Sequence, residues 1–146
     1  MHDFKKFPEL TNSQLQEFYF ESPHKQITEN FTATVTKVHD GDTIRVKADF
    51  RNFDFPIRLA NIAAAELNEE GGKEVQQWLE KRILNEEVEI LINPKNRVGK
   101  WGRVIGEIFF EGMSINDESL REGKSTEFNS SEEKTLLSIE EVFINH

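Results

Sequence analysis

Residues 31–48 read FTATVTKVHDGDTIRVKA. Phe31, Ala33 and Val35 are apolar, and Thr32, Thr34 and Thr36 between them are polar. The same alternation resumes after Asp40-Gly41, with Ile44, Val46 and Ala48 set against Thr43, Arg45 and Lys47. A period of two marks a strand with one buried face, and Asp-Gly between two such runs is hairpin turn chemistry. The stretch predicts an antiparallel hairpin, and with it a domain that is mainly β.

Toward the C-terminus the pattern continues. Phe53, Phe55, Ile57 and Leu59 form a third alternating run, in which Pro56 cannot donate to a ladder and so predicts an edge or a bulge. Gly71-Gly72 opens a helix with Val75, Trp78, Leu79 and Ile83 on one face. Val88, Ile90 and Ile92 make a fourth strand stopped by Asn93-Pro94, and residues 102–110 a fifth ending at Glu111-Gly112. Ser114 with Asp117 has the look of a helix start, Leu120 supplies its apolar contact and Gly123 its C-cap. Residues 31–123 thus hold three strands, a helix, two strands and a helix.

The ends read differently. Residues 1–30 are an N-terminal extension with one short helix: Thr11 and Gln14 have capping-box spacing, Leu15, Phe18 and Tyr19 share a face, and Ser22-Pro23 ends it. Its aromatics are expected to pack onto the domain, and the competing expectation is a surface for a protein partner. The domain proper spans 31–146, with a last helix over 131–143 that starts from Ser130 and Glu133.

At 146 residues the chain can bury one core without staples, and with no cysteine it has neither disulfides nor thiolate metal sites. No segment is apolar for the roughly 18 residues a bilayer span needs, and the first twenty residues lack a signal-peptide core. No membrane partner and an intracellular, cytoplasmic location are therefore expected. The net charge of -9 argues against a general polyanion binder, because phosphate attraction depends on Lys and Arg displacing counterions. Most of that excess lies after residue 110, so the middle of the chain is close to neutral.

Candidate chemistry is scattered over this middle. Asp40 and Asp42 flank Gly41, Arg58 sits in the third strand, Glu66 follows it, and Lys100-Trp101-Gly102-Arg103 leads into the fifth. A hard cation needs oxygen ligands, a phosphate needs the planar donor fork of arginine, and hydrolysis needs a carboxylate to orient or deprotonate water. None of these residues is near the others in sequence, so only a fold could assemble them.

Taken together, HDGDTIRV, IRLANIAAAE and KWGRVIGEIFFEGMSINDESLREG resemble three successive motifs of the staphylococcal nuclease-like (thermonuclease) family, in order and at compatible spacing. The resemblance implies an α+β, mainly β fold: a five-stranded OB-type barrel with about three packed helices. It also implies calcium-dependent hydrolysis of phosphodiester bonds in DNA and RNA. Asp42 would then be a carboxylate ligand of Ca2+ and Asp40 an acid of the same pocket. Arg58 and Arg103 would clamp the scissile phosphate, and Glu66 would be the general base. Lys100 and Trp101 would touch the substrate's terminal phosphate, with Trp101 offering a stacking face where the family has a tyrosine.

The chain departs from the family pattern in one stretch. Ala63 stands where the family has an aspartate that ligates the metal, Ala64 could still offer its backbone carbonyl, and the tyrosines that family nucleases carry after the next helix have no clear match, Phe128 being the only aromatic there. Calcium affinity depends on ligand charge, so the loss of one of two carboxylates predicts much weaker binding unless Glu69 or Glu70 substitutes. Two readings follow. One is a nuclease-family domain with a compromised metal site and weak or lost activity; the other is a non-catalytic OB module holding a protein partner or single-stranded nucleic acid.

Overall fold

A computed structural model describes residues 2–99 and 102–129. The hairpin forms as read: β1 (Phe31–Asp40) and β2 (Thr43–Lys47) pair antiparallel from Thr34↔Lys47 to Asp40↔Thr43. β3 (Phe55–Leu59) continues the meander against β2. β5 (Glu87–Leu91), which follows the short β4 (Ile62–Ala63), lies on the other side of β1, and β6 (Val104–Phe110) pairs with β5. Closure comes from β3 and β6, which run parallel with Ile57 opposite Val104 and Leu59 opposite Gly106. The result is a closed five-stranded barrel of the OB type, which removes the sheet edges an open meander would expose.

Pro56 sits where such a barrel tolerates it. Its pairing with β2 is opposite Arg45, while the pairing with β6 begins only at Ile57, so on its other side Pro56 has no ladder to serve. The register shifts are not here but in β1, at Val35/Lys37 and Val38/Asp40, where they coil the strand around the barrel. Inside, Ile44, Val46, Phe55, Ile57, Leu59, Ile90 and Ile108 are fully buried or nearly so, each contributing about 1.5–3 kcal/mol of burial.

Among the described residues, two helices cover the barrel. α2 (Gly72–Ile83) buries Leu79 and Ile83, with Trp78 partly buried against the same core, and the Gln76 side-chain amide donates to the Val38 and His39 carbonyls. α3 (Ile115–Arg121) follows a tight turn at Glu111-Gly112 and the two-residue β7 (Met113–Ser114). Its buried Asn116 donates to the Ala60 carbonyl at 2.8 Å and accepts from the Ile108 amide at 3.0 Å, tying it to both closing strands. The Ser114 cap is formed as expected.

The N-terminal segment carries α1 (Asn12–Phe18), with the Thr11–Gln14 capping box in place, followed by a 3-10 turn (Tyr19–Glu21). Its anchor is not the aromatic face of the helix. α1 buries no residue, and Tyr19 and Phe20 are exposed, whereas Leu10 and Ile27 on either side enter the core region. Between them Glu9, 2% exposed, pairs with two buried guanidiniums, Arg51 and Arg97. The expected helix over 131–143 lies outside the described residues. None of the described helices is long and apolar enough to cross a membrane.

Candidate functional site

The first hairpin turn delivers the acids. Gly41 between them does not adopt the left-handed conformation of a primed hairpin turn, contrary to the turn chemistry read from Asp-Gly. Space is what requires it: a Cβ at Gly41 would lie 2.4 Å from Val75 Cγ1 and 2.6 Å from Ala64 Cβ. The turn is thus wedged between α2 and the chain just past β4. Asp40 Oδ1 accepts from the Asp42 amide at 3.0 Å. Burial, followed by the nearby charge of Asp42, raises the Asp40 carboxyl above its ordinary range.

Asp42 is the hub. Its Oδ1 accepts from the Thr43 hydroxyl and its Oδ2 from the Ala64 amide, each at 3.0 Å, and Arg58 Nη2 lies 3.6 Å from Oδ2. Thr43 is the cross-strand partner of Arg58, so the β2–β3 register sets these side chains side by side. Arg103 reaches the same point from the loop before β6, with Nη1 at 3.5 Å from Thr43 Oγ1, the outer limit for a hydrogen bond. Its Nε is buried and has no hydrogen-bond partner among the described residues.

Thr43 is the site residue that reading the sequence missed, and Phe128, noted there only as an aromatic after the last motif, turns out to lie against Arg58. Thr43 looked like one more polar position of an alternating strand, yet it is 6% exposed and links Arg103 to Asp42. Phe128 is carried in by a two-stranded ribbon of β4 with β8 (Thr126–Glu127). Its amide donates to the Asn61 carbonyl at 2.9 Å, and its ring lies 5.6 Å from the Arg58 guanidinium carbon. Two-residue strands leave no periodicity to detect.

Glu66 is two residues beyond Ala64, in an exposed turn where its amide donates to Glu69 Oε1 at 2.7 Å. The structure therefore gathers Asp40, Asp42, Ala64, Arg58 and Arg103 through direct contacts and leaves the Glu66 carboxylate on the solvent side. Lys100 and Trp101 lie outside the described residues. The Glu66 turn is held by close approach: a Cβ at Gly72 would stand 1.8 Å from the Glu66 carbonyl oxygen. Gly72→Ala must push that turn aside, and we expect a loss of about 1–3 kcal/mol in urea unfolding; an unchanged midpoint would refute the constraint.

The residues present do not fit the calcium ion that the resemblance implies. Calcium takes six to eight oxygens, several of them charged. Among the described residues no three of His, Cys, Asp or Glu converge on a point, and both Asp42 oxygens already accept from protein donors. Ala63 offers only a methyl group, and Glu69 is engaged in its own turn. What the site does offer is two guanidiniums, one with an unused buried N–H, beside a carboxylate that orients them.

Compared with known proteins, residues 56–142 match the family model described as staphylococcal nuclease homologue. The matched span contains Arg58, Ala63, Glu66 and Arg103, while Asp40 and Asp42 precede it. No curated protein matches the chain.

Proposed function

This chain belongs to the staphylococcal nuclease family, and from that membership we propose that it binds a phosphodiester of DNA or RNA between Arg58 and Arg103 while hydrolysing it weakly or not at all. The observation that carries the reading is the meeting of those two guanidiniums at Thr43 and Asp42, from a strand and a loop remote in sequence. Forked, permanently charged donors suit a phosphate's paired oxygens better than lysine would. Phe128 against Arg58 adds a sequence-tolerant apolar surface beside them.

Domains of this family bind nucleic acid and their nucleases generally depend on calcium. In this chain Glu66 holds the family's general-base position, where it would orient or deprotonate the attacking water. Arg58 and Arg103 would stabilise the charge that builds on the phosphoryl oxygens. The family's calcium would supply further charge stabilisation, and the donors for it are insufficient here because Ala63 replaces a carboxylate. Binding would persist with hydrolysis impaired, because the arginines do not depend on the metal for their charge.

The test is anisotropy of a labelled single-stranded oligonucleotide in chelator, beside a digestion assay in calcium. Arg58→Ala and Arg103→Ala should each weaken binding about 10- to 100-fold, the range for charge-assisted hydrogen bonds. Digestion by the unmodified chain should be slow or absent. Robust cleavage abolished by chelator would overturn the impaired-hydrolysis part, and wild-type affinity in both arginine variants would overturn the binding site.

A further inference from the structure

We propose that the N-terminal segment is a working part of this site, with Glu9 acting through Arg97 as a positioning residue for Arg103; the inference rests on the phosphate-binding reading above. Arg97 is 2% exposed, and all three nitrogens of its guanidinium are engaged by the N-terminal segment. Nε donates to the Ile27 carbonyl at 2.6 Å, Nη1 to the Leu10 carbonyl at 3.1 Å and to Asn12 Oδ1 at 2.9 Å, and Nη2 to Glu9 Oε2 at 3.1 Å. Burial lowers the Arg97 pKa and the Glu9 carboxylate opposes that shift.

The backbone of the same residue sets the approach to Arg103. The Ile105 amide donates to the Arg97 carbonyl and the Gly99 amide to the Arg103 carbonyl, both at 2.8 Å, with Val98 bridged to Val104 between them. Arg103 is therefore bracketed by the Arg97–Ile105 rung and by its own rung to Gly99, two residues along from Arg97. A second contact touches its neighbour directly: Phe7 packs against Gly102 so closely that a Cβ there would be 3.0 Å from Phe7 Cδ1. Asn12 Nδ2 donates to the Pro94 carbonyl at 3.0 Å, fixing the start of the same loop.

Such precision matters at Arg103 because its hold on Thr43 is already at the limit of hydrogen-bond length. A displacement of about 1 Å would uncouple it from the Thr43–Asp42 pair. A buried group of three charges is a poor source of net stability compared with apolar packing, and its best-attested use is to fix one register among several. Here the register it fixes is that of the loop carrying a phosphate-binding arginine.

The experiment is a double-mutant cycle on the full chain, read by oligonucleotide binding in chelator across a salt series, with circular dichroism confirming that each variant is folded. Arg103→Ala should weaken binding about tenfold or more. Glu9→Gln should weaken it several-fold and lower the salt slope by about 0.7, the value for one lost single-strand phosphate contact. The double variant should bind like Arg103→Ala alone. Because Glu9→Gln disturbs a buried network, Phe7→Ala is read in parallel, with the same non-additivity expected against Arg103→Ala. If Glu9→Gln and Phe7→Ala lower thermal stability yet keep wild-type affinity and salt slope, or if either adds fully to Arg103→Ala, the positioning role is overturned. Wild-type binding by Arg103→Ala itself would overturn the phosphate-binding reading, and this inference with it.

Discussion

Replacing Glu9 by alanine should lower the unfolding free energy by about 3–5 kcal/mol, the usual cost of removing one partner from a buried ion pair. The carboxylate serves three donors in a space closed to water. It pairs with Arg51 Nη2 through Oε1, with Arg97 Nη2 through Oε2, and it accepts from the Ile27 amide at 3.1 Å. Its loss leaves two guanidiniums facing each other's charge across the vacated position. Arg51 would keep one hydrogen bond, from Nη2 to the Lys25 carbonyl at 2.8 Å, but its Nε and Nη1 lack partners among the described residues, and its guanidinium rests on the Phe55 ring at 4.5 Å and the Phe53 ring at 5.3 Å. Those rings provide cation–π attraction but accept no strong hydrogen bond. In a chain of this size the melting temperature should fall by about 10 °C or more. Urea unfolding measures it, and a loss under about 1 kcal/mol would mean that water or a rearranged side chain replaces the carboxylate.

The second large effect runs the other way. Ala63→Asp should make the stability of the protein respond to calcium. The Ala64 amide that donates to Asp42 Oδ2 belongs to the peptide unit leaving residue 63, whose Cα is about 2.4 Å from that nitrogen by covalent geometry. A carboxylate on residue 63 is thereby attached one peptide unit from the group that Asp42 holds, within reach of a shared cation. Without metal these acids repel, so the variant should be less stable than the parent in chelator. With calcium at a hundredfold excess over its dissociation constant, the gain should reach about 2.7 kcal/mol, while the unmodified chain shows little change. A differential scanning fluorimetry series in calcium and in chelator reads this without reference to catalysis. Strong calcium stabilisation of the unmodified chain would show that other oxygens complete the site and that Ala63 is not limiting.

How legible these features were depended on the distance over which each interaction acts. Strands, α2 and the two capped helices came from alternation, helical spacing and side-chain caps, which act within a few residues and so leave a pattern. Arg58 and Arg103 could be singled out because a family motif surrounds them. Thr43 could not, since a threonine in a β-strand is ordinary until its neighbour turns out to be an arginine sixty residues away. Glu9 gave no sign at all: in sequence it lies in a polar lead-in, and its partners are 42 and 88 residues distant. The role of Gly41 was misread for a related reason, because the atoms that exclude a side chain there belong to Ala64 and Val75.

By itself, the sequence determined a mainly β domain and the order of its elements, because periodicity and local caps are written in near neighbours, while the barrel and the residues available for phosphate chemistry came from its resemblance to a family. Only the tertiary structure decided which of those residues meet. Barrel closure through β3 and β6 brings Arg58 beside the loop of Arg103, the β2–β3 register puts Thr43 between them, and a buried carboxylate from the N-terminal segment holds the loop in place. These are contacts between groups remote along the chain, and their geometry is set by the packing of the whole core.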